Sequence, residues 1–138
     1  MREQRPPVTR EIIEEAIESM LTGRHSKWTP VVLLHLRTQT MRFSEIQRDI
    51  GTISQKALTQ SLRALERDGF VSRTSYATIP PRVDYAVTRL GQEALKAFEA
   101  FESFAARHWQ EVLEARLLFD ARDPAGDDVP FVSLGSGR

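Results

Sequence analysis

The chain has 138 residues, 41% of them hydrophobic, with 19 basic and 19 acidic side chains giving a formal net charge of zero, and no cysteine. That length suits one domain with a single core and flanking segments, and neutral charge argues against an indiscriminate polyanion binder. Without cysteine these residues hold no disulfide, thiolate metal site or thiol switch; without an apolar run near the roughly 18 residues of a bilayer span, no membrane partner is expected.

Met1 to Pro7 lack the apolar centre of a signal peptide, so the cytoplasm is the expected compartment. Residues 1–8 read as a flexible arm. Thr9 is placed to cap a first helix with Glu11, Glu14 and Glu15 near its positive end. Ile12, Ile13, Ala16, Ile17, Met20 and Leu21 fall at helical spacing and form one apolar face, and Gly23 ends the helix. Thr29-Pro30 predicts the start of a second helix, with a capping hydroxyl before proline at the first helical position. Val31, Val32, Leu33, Leu34 and Leu36 make that helix apolar nearly all round, hence buried. Arg42-Phe43 reads as a short strand. Ser44 then opens a third helix, with Gln47 completing a capping box, Phe43 as its staple and Gly51 as its stop.

Ser54 caps a fourth helix. Ala57, Leu58, Ser61, Leu62 and Leu65 form its inner face; Gln55, Lys56, Thr59, Gln60, Arg63 and Arg67 form its outer face. Gly69 suits the left-handed position after a helix end. Phe70 to Tyr76 and Val83 to Val87 alternate enough to be the strands of a hairpin, with Pro80-Pro81 at the tip outside the ladder. Thr88 caps a last long helix running toward Phe119, with a bend or break expected near Ser103. Residues 121–138 read as a flexible tail, tethered weakly by Phe131, Val132 and Leu134.

Short helix, turn, second helix and two-stranded ribbon follow one another between Phe43 and Leu90. This is the plan of a winged helix-turn-helix, a mainly α fold with a small β-hairpin wing, and such a module is most often built to place one helix in the DNA major groove. Charge agrees: Arg42 to Arg89 hold 8 basic and 5 acidic residues, a balance of +3 that leaves −3 for the rest. A basic reading head on an acidic support is the expected arrangement.

The motifs that carry a family likeness are Lys27-Trp28-Thr29, Arg42-Phe43-Ser44-Glu45-Ile46, Ile53 to Thr59, Leu62 to Leu65, Asp68 to Arg73, Pro80-Pro81-Arg82-Val83-Asp84-Tyr85, Val87-Thr88 and Gly91. In this order and spacing the chain resembles the HxlR-type branch of winged-helix bacterial transcriptional regulators, relatives of the MarR class. The resemblance covers about half of the chain. It implies a homodimeric DNA-binding regulator without a cofactor, joined through its terminal helices, in a winged-helix domain at residues 9–120. Many members look like sensors with a cysteine near the chain start. This chain departs there, which leaves its signal open.

The fourth helix is the expected recognition helix. Lys56, Gln60 and Arg63 share one exposed stripe, and Gln pairs with adenine, Arg or Lys with guanine. Ser54 and Gln55 offer polar groups and free N–H donors to phosphate at the helix start. The expected DNA contacts are therefore Ser54, Gln55, Lys56, Thr59, Gln60 and Arg63, with Arg42, Arg73 and Arg82 around them. Arg82 is the leading wing candidate for a minor-groove or phosphate contact, against the alternative that it pairs with Asp84. Arg42 could reach a phosphate or pair with Glu45. A small domain can hardly bury all its terminal apolar surface, so Ile12, Ile13, Ile17, Phe98, Phe101, Phe104, Trp109 and Leu113 are the expected dimer interface.

His25, His35 and His108 show no ligand spacing, so no metal is expected. Nucleophile elbows and phosphate loops are absent, so no enzyme is expected. Phe98, Phe101, Phe104 and Trp109, with Trp28 and Met20, could line a pocket for a small apolar effector; plain core and dimer packing is the preferred reading. The expected function is sequence-specific binding of double-stranded DNA at a palindromic operator by a homodimer, as a repressor, without a cysteine redox switch. The alternative is a winged helix used as a protein-interaction module. Exposed apolar anchors on the fourth helix would favour it, and Lys, Gln, Thr and Arg stand there instead.

Overall fold

The computed structural model describes residues 7–21 and 27–122. Its elements run α1 (Arg10–Leu21), α2 (Trp28–His35), β1 (Met41–Arg42), α3 (Phe43–Ile50), α4 (Gln55–Arg67), β2 (Val71–Tyr76), β3 (Arg82–Val87) and α5 (Arg89–Arg122). The expected arm before Pro7, the stop at Gly23, His25 and the tail from Asp123 lie outside the described residues. The chain divides into two compact units, one up to Lys96 and one from Ala97.

The first unit is a winged helix-turn-helix. Its core is built from α2 (Val32, Leu33, with Leu36 just after it), β1 (Met41), α3 (Ile46), the turn (Ile53), α4 (Leu58, Leu62, Leu65), β2 (Val71) and the first turns of α5 (Leu95), all buried. Each such aliphatic side chain contributes about 1.5–3 kcal/mol on leaving water. The sheet is antiparallel in the order β1-β3-β2. Met41 pairs with Tyr85 and Arg42 with Asp84, while β2 runs against β3 from Val71↔Val87 to Tyr76↔Arg82.

Helix starts follow their caps, with two corrections. Thr9 Oγ1 accepts from the Ile12 N–H at 3.4 Å, and Ser54 Oγ accepts from the Ala57 N–H at 3.1 Å, as expected. Thr29, however, does not cap α2; the helix begins at Trp28, and Thr29 is buried inside it. Pro30 still lies in the first turn, where its missing N–H has no intrahelical partner to lose. The third helix begins at Phe43 rather than after Ser44. Its cap is the Glu45 carboxylate, which accepts from the Arg42 N–H at 2.9 Å, so Glu45 takes the role assigned to Gln47. Pairing of Met41 and Arg42 with β3 delivers the chain extended to that point, and the helix starts where the strand stops.

The corner between β3 and α5 is tightly pinned. The Thr88 hydroxyl donates to the Gly69 carbonyl at 2.5 Å and accepts from the Gly91 N–H at 3.0 Å. Gly69 has φ +79°, the left-handed conformation expected of it, and a Cβ on Gly91 would stand 2.1 Å from the Phe70 carbonyl oxygen. Only glycine lets α5 approach so closely there.

The expected break near Ser103 does not occur: α5 is one helix to Arg122. From Gln92 to Arg122 there is neither glycine nor proline, and one serine lowers helix propensity by only a fraction of ~1 kcal/mol. In the second unit, Phe101, Phe104 and Trp109 are exposed while Phe98, Val112 and Leu113 are half-buried. Phe101 and Phe104 lie 6.3 Å apart by ring centroids, and Phe104 lies 5.2 Å from His108. Ile12, Ile13, Ile17 and Met20 of α1 are likewise exposed. No described helix is long and apolar enough to cross a membrane.

Candidate nucleic-acid interface

Helix α4 is divided cleanly by its own periodicity. Leu58, Ser61, Leu62, Ala64 and Leu65 are buried, and Gln55, Lys56, Thr59, Gln60, Arg63, Glu66 and Arg67 are exposed. At 3.6 residues per turn, Lys56, Gln60, Arg63 and Arg67 lie in one row. The Thr59 hydroxyl donates to the Gln55 carbonyl at 2.8 Å, which leaves its oxygen free only to accept. Lys56 and Arg63 are exposed and in no ion pair among the described residues.

The sheet sorts the remaining arginines. Side chains alternate along a strand and cross-strand partners share a face. Val71, Arg73 and Ser75 of β2 therefore lie with Val83, Tyr85 and Val87 of β3 and Met41 of β1. Ser72, Thr74 and Tyr76 lie with Arg82, Asp84, Ala86 and Arg42 on the other face. The first face meets α4: Arg73 and Tyr85 join Phe43, Thr59, Leu62, Arg63 and Glu66 around an open cleft of about 380 Å³. Arg73 also donates through Nη1 to Ser75 Oγ at 3.0 Å.

Arg82 is differently engaged. Its Nε and Nη2 donate to the two Asp84 carboxylate oxygens at 2.8 and 3.0 Å, in the forked geometry that makes such pairs strong. Its guanidinium lies 5.6 Å from the ring centre of Tyr76, its cross-strand neighbour. The Asp84 side chain is only 9% exposed and that of Arg82 47%. The Arg82 hydrogen bonds hold the Asp84 carboxyl below its ordinary value against the opposing effect of burial, with the charges of Arg82 and Arg42 adding to the shift. Asp84 in turn raises Arg82, first by hydrogen bonding and then by charge.

The structure thus gathers Ser54, Gln55, Lys56, Thr59, Gln60, Arg63 and Arg73 on or beside the outer side of α4, and sets Arg42 and Arg82 on the opposite face of the sheet. Sequence reasoning missed Phe43, Glu66 and Tyr85 as cleft residues. Tyr85 was accessible from strand alternation once its pairing opposite Arg73 was known, and Glu66 from its place three residues after Arg63. Among the described residues no cluster of side chains could hold a metal ion.

Fold and surface define a winged helix-turn-helix protein of the kind that presents one helix to nucleic acid. A model of the HxlR-like helix-turn-helix matches residues 24–113, and the chain belongs to that family. It is 42% identical over 91 residues to the HTH-type transcriptional regulator YtfH of Escherichia coli K12, covering 66% of this chain and 72% of YtfH. The solved structure of ytfH from Salmonella typhimurium is 37% identical, with a TM-score of 0.64 over 75% of this chain and 89% of that one. The redox regulator HypR in its reduced form is 30% identical, with a TM-score of 0.64 over 75% of this chain and 98% of that one.

Proposed function

We propose that this HTH-type transcriptional regulator binds double-stranded DNA as a homodimer, reads a palindromic operator with α4 and represses transcription there. The observation that carries the reading is the outer side of α4, where Lys56 and Arg63, in no ion pair among the described residues, flank Gln60 on a helix whose opposite side packs into the core. Gln60 and Arg63 supply bidentate base contacts and Lys56 and Arg73 bind phosphate, while Thr59, its hydroxyl proton held by the Gln55 carbonyl, offers only an acceptor oxygen and a methyl group to base edges. Ser54 and Gln55 present the start of α4 to a backbone phosphate. No exposed apolar side chain stands on this stripe, which weighs against a protein-binding role.

Dimerisation is proposed through the apolar surface of α1 (Ile12, Ile13, Ile17) and the distal part of α5 (Phe98, Phe101, Phe104, Trp109, Leu113). Two-fold symmetry then sets half-sites about one helical turn apart, or a multiple of it. HypR is a redox regulator, but the absence of cysteine here favours a different signal, such as a small apolar molecule at the exposed aromatic side chains of α5. The test is fluorescence anisotropy with duplex DNA from upstream of the protein's own gene against a scrambled duplex. Preference for the upstream DNA, with affinity falling steeply as salt rises, is expected. Equal binding to both duplexes would refute sequence-specific reading of that operator.

A further inference from the structure

Arg82 looks in the sequence like the wing's free cation, yet it is the one arginine of the sheet whose charge is fully matched. Both carboxylate oxygens of Asp84 accept from it, and Asp84 is nearly buried. Tyr76 covers the guanidinium from across the strand pair. Arg42, in register opposite Asp84, lies on the same face. Arg73, on the other face, gives its hydrogen bond to a neutral serine and keeps its charge.

We propose that Asp84 acts as a specificity-determining charge mask: it cancels the Arg82 cation, so that the wing holds Arg82 against Tyr76 as a structural strap and the head binds DNA through α4 and Arg73 rather than through the wing arginine. This rests on the DNA-binding reading above. A phosphate contact releases condensed counterions in proportion to the cationic charge brought to it. A paired arginine brings almost none. The mask thereby lowers affinity for DNA of any sequence and leaves the base contacts of α4 to set the preference. Asp84→Asn keeps the shape of the side chain and removes the charge, freeing Arg82 as a net cation.

The test is the salt dependence of binding of the full chain to a scrambled duplex. Asp84→Asn is expected to bind it more tightly at low salt and to steepen the log–log slope by about 0.9, one extra phosphate contact. That is an additional loss of about threefold between about 50 and 200 mM salt. The neutral pair Arg82→Gln/Asp84→Asn is expected to keep the wild-type slope. An unchanged or shallower slope in Asp84→Asn overturns the mask. So does a slope shallower by about 0.9 in the double variant, which would make Arg82 a direct phosphate contact. If Asp84→Asn fails to fold, the double variant decides alone, since it removes the unpaired guanidinium as well. Wild type with no salt-dependent binding would overturn the DNA reading itself, and the mask with it, a result distinct from either variant's failure.

Discussion

Helix α4 and the part of α5 beyond Lys96 both carry an apolar stripe, and they dispose of it in opposite ways. In α4 that stripe is buried in the winged core, and everything left exposed is polar. Beyond Lys96, Phe101, Phe104 and Trp109 are 71%, 48% and 46% exposed, and Leu117, Leu118 and Phe119 more than half exposed. Apolar patches of this kind mark surfaces that meet another molecule. The contrast separates a helix whose apolar side is satisfied within its own core from one whose apolar side is left open to solvent. It also says which substitutions should act through stability, which through DNA and which through assembly.

The largest effect is expected from breaking the proposed assembly. Phe104→Glu with Trp109→Glu should convert a dimer to a monomer in analytical ultracentrifugation and lower operator affinity on the order of 100-fold, because two linked heads bind far better than one. A monomeric wild type, or a variant that still dimerises, would remove the interface reading. Next comes the core side of α4. Leu58→Ala should cost about 2–5 kcal/mol in urea unfolding. Leu117→Ala, at a concentration where the chain is monomeric, should cost no more than about 0.5 kcal/mol. Equal costs would erase the distinction between the two helices.

On the display side, Arg63→Ala and Gln60→Ala should each weaken operator binding by about 1–3 kcal/mol and leave the unfolding midpoint unmoved. Ser54→Ala removes the cap and should destabilise the fold by about 1 kcal/mol, measurable by thermal unfolding. The smallest effect concerns acid. The Asp84 carboxyl is held below its ordinary value, chiefly by the hydrogen bonds from Arg82. Its contribution is therefore intact above the ordinary aspartate range and is lost only as pH falls through the lowered value. Stability of Asp84→Asn should accordingly differ from wild type at neutral pH and converge with it in strong acid; a constant difference across that range would contradict the pairing.

Much of the reading head was legible because its determinants are local. The Ser54 cap, the periodicity of Ala57 to Leu65 and the turn at Gly69 are fixed within a few residues, and the structure places them as expected. The starts of α2 and α3 were not, because each depends on something distant: the burial of Thr29, and the pairing of Met41 and Arg42 with Tyr85 and Asp84. The break expected near Ser103 does not occur, because one serine is too weak a breaker in a stretch that holds neither glycine nor proline from Gln92 to Arg122. The two readings of Arg82 were both visible, since Arg82 and Asp84 alternate onto one face of a strand. Sequence alone could not choose between them, because the choice depends on how deeply Asp84 is buried and on which face meets α4.

The most direct test of the central claim is selection of preferred duplexes from a random library by wild type and by Gln60→Ala/Arg63→Ala. Wild type should recover a two-fold symmetric motif, and the variant should lose base preference at the symmetric pairs of positions that Gln60 and Arg63 contact. An identical motif from both proteins would contradict the assignment of α4 as the helix that reads sequence.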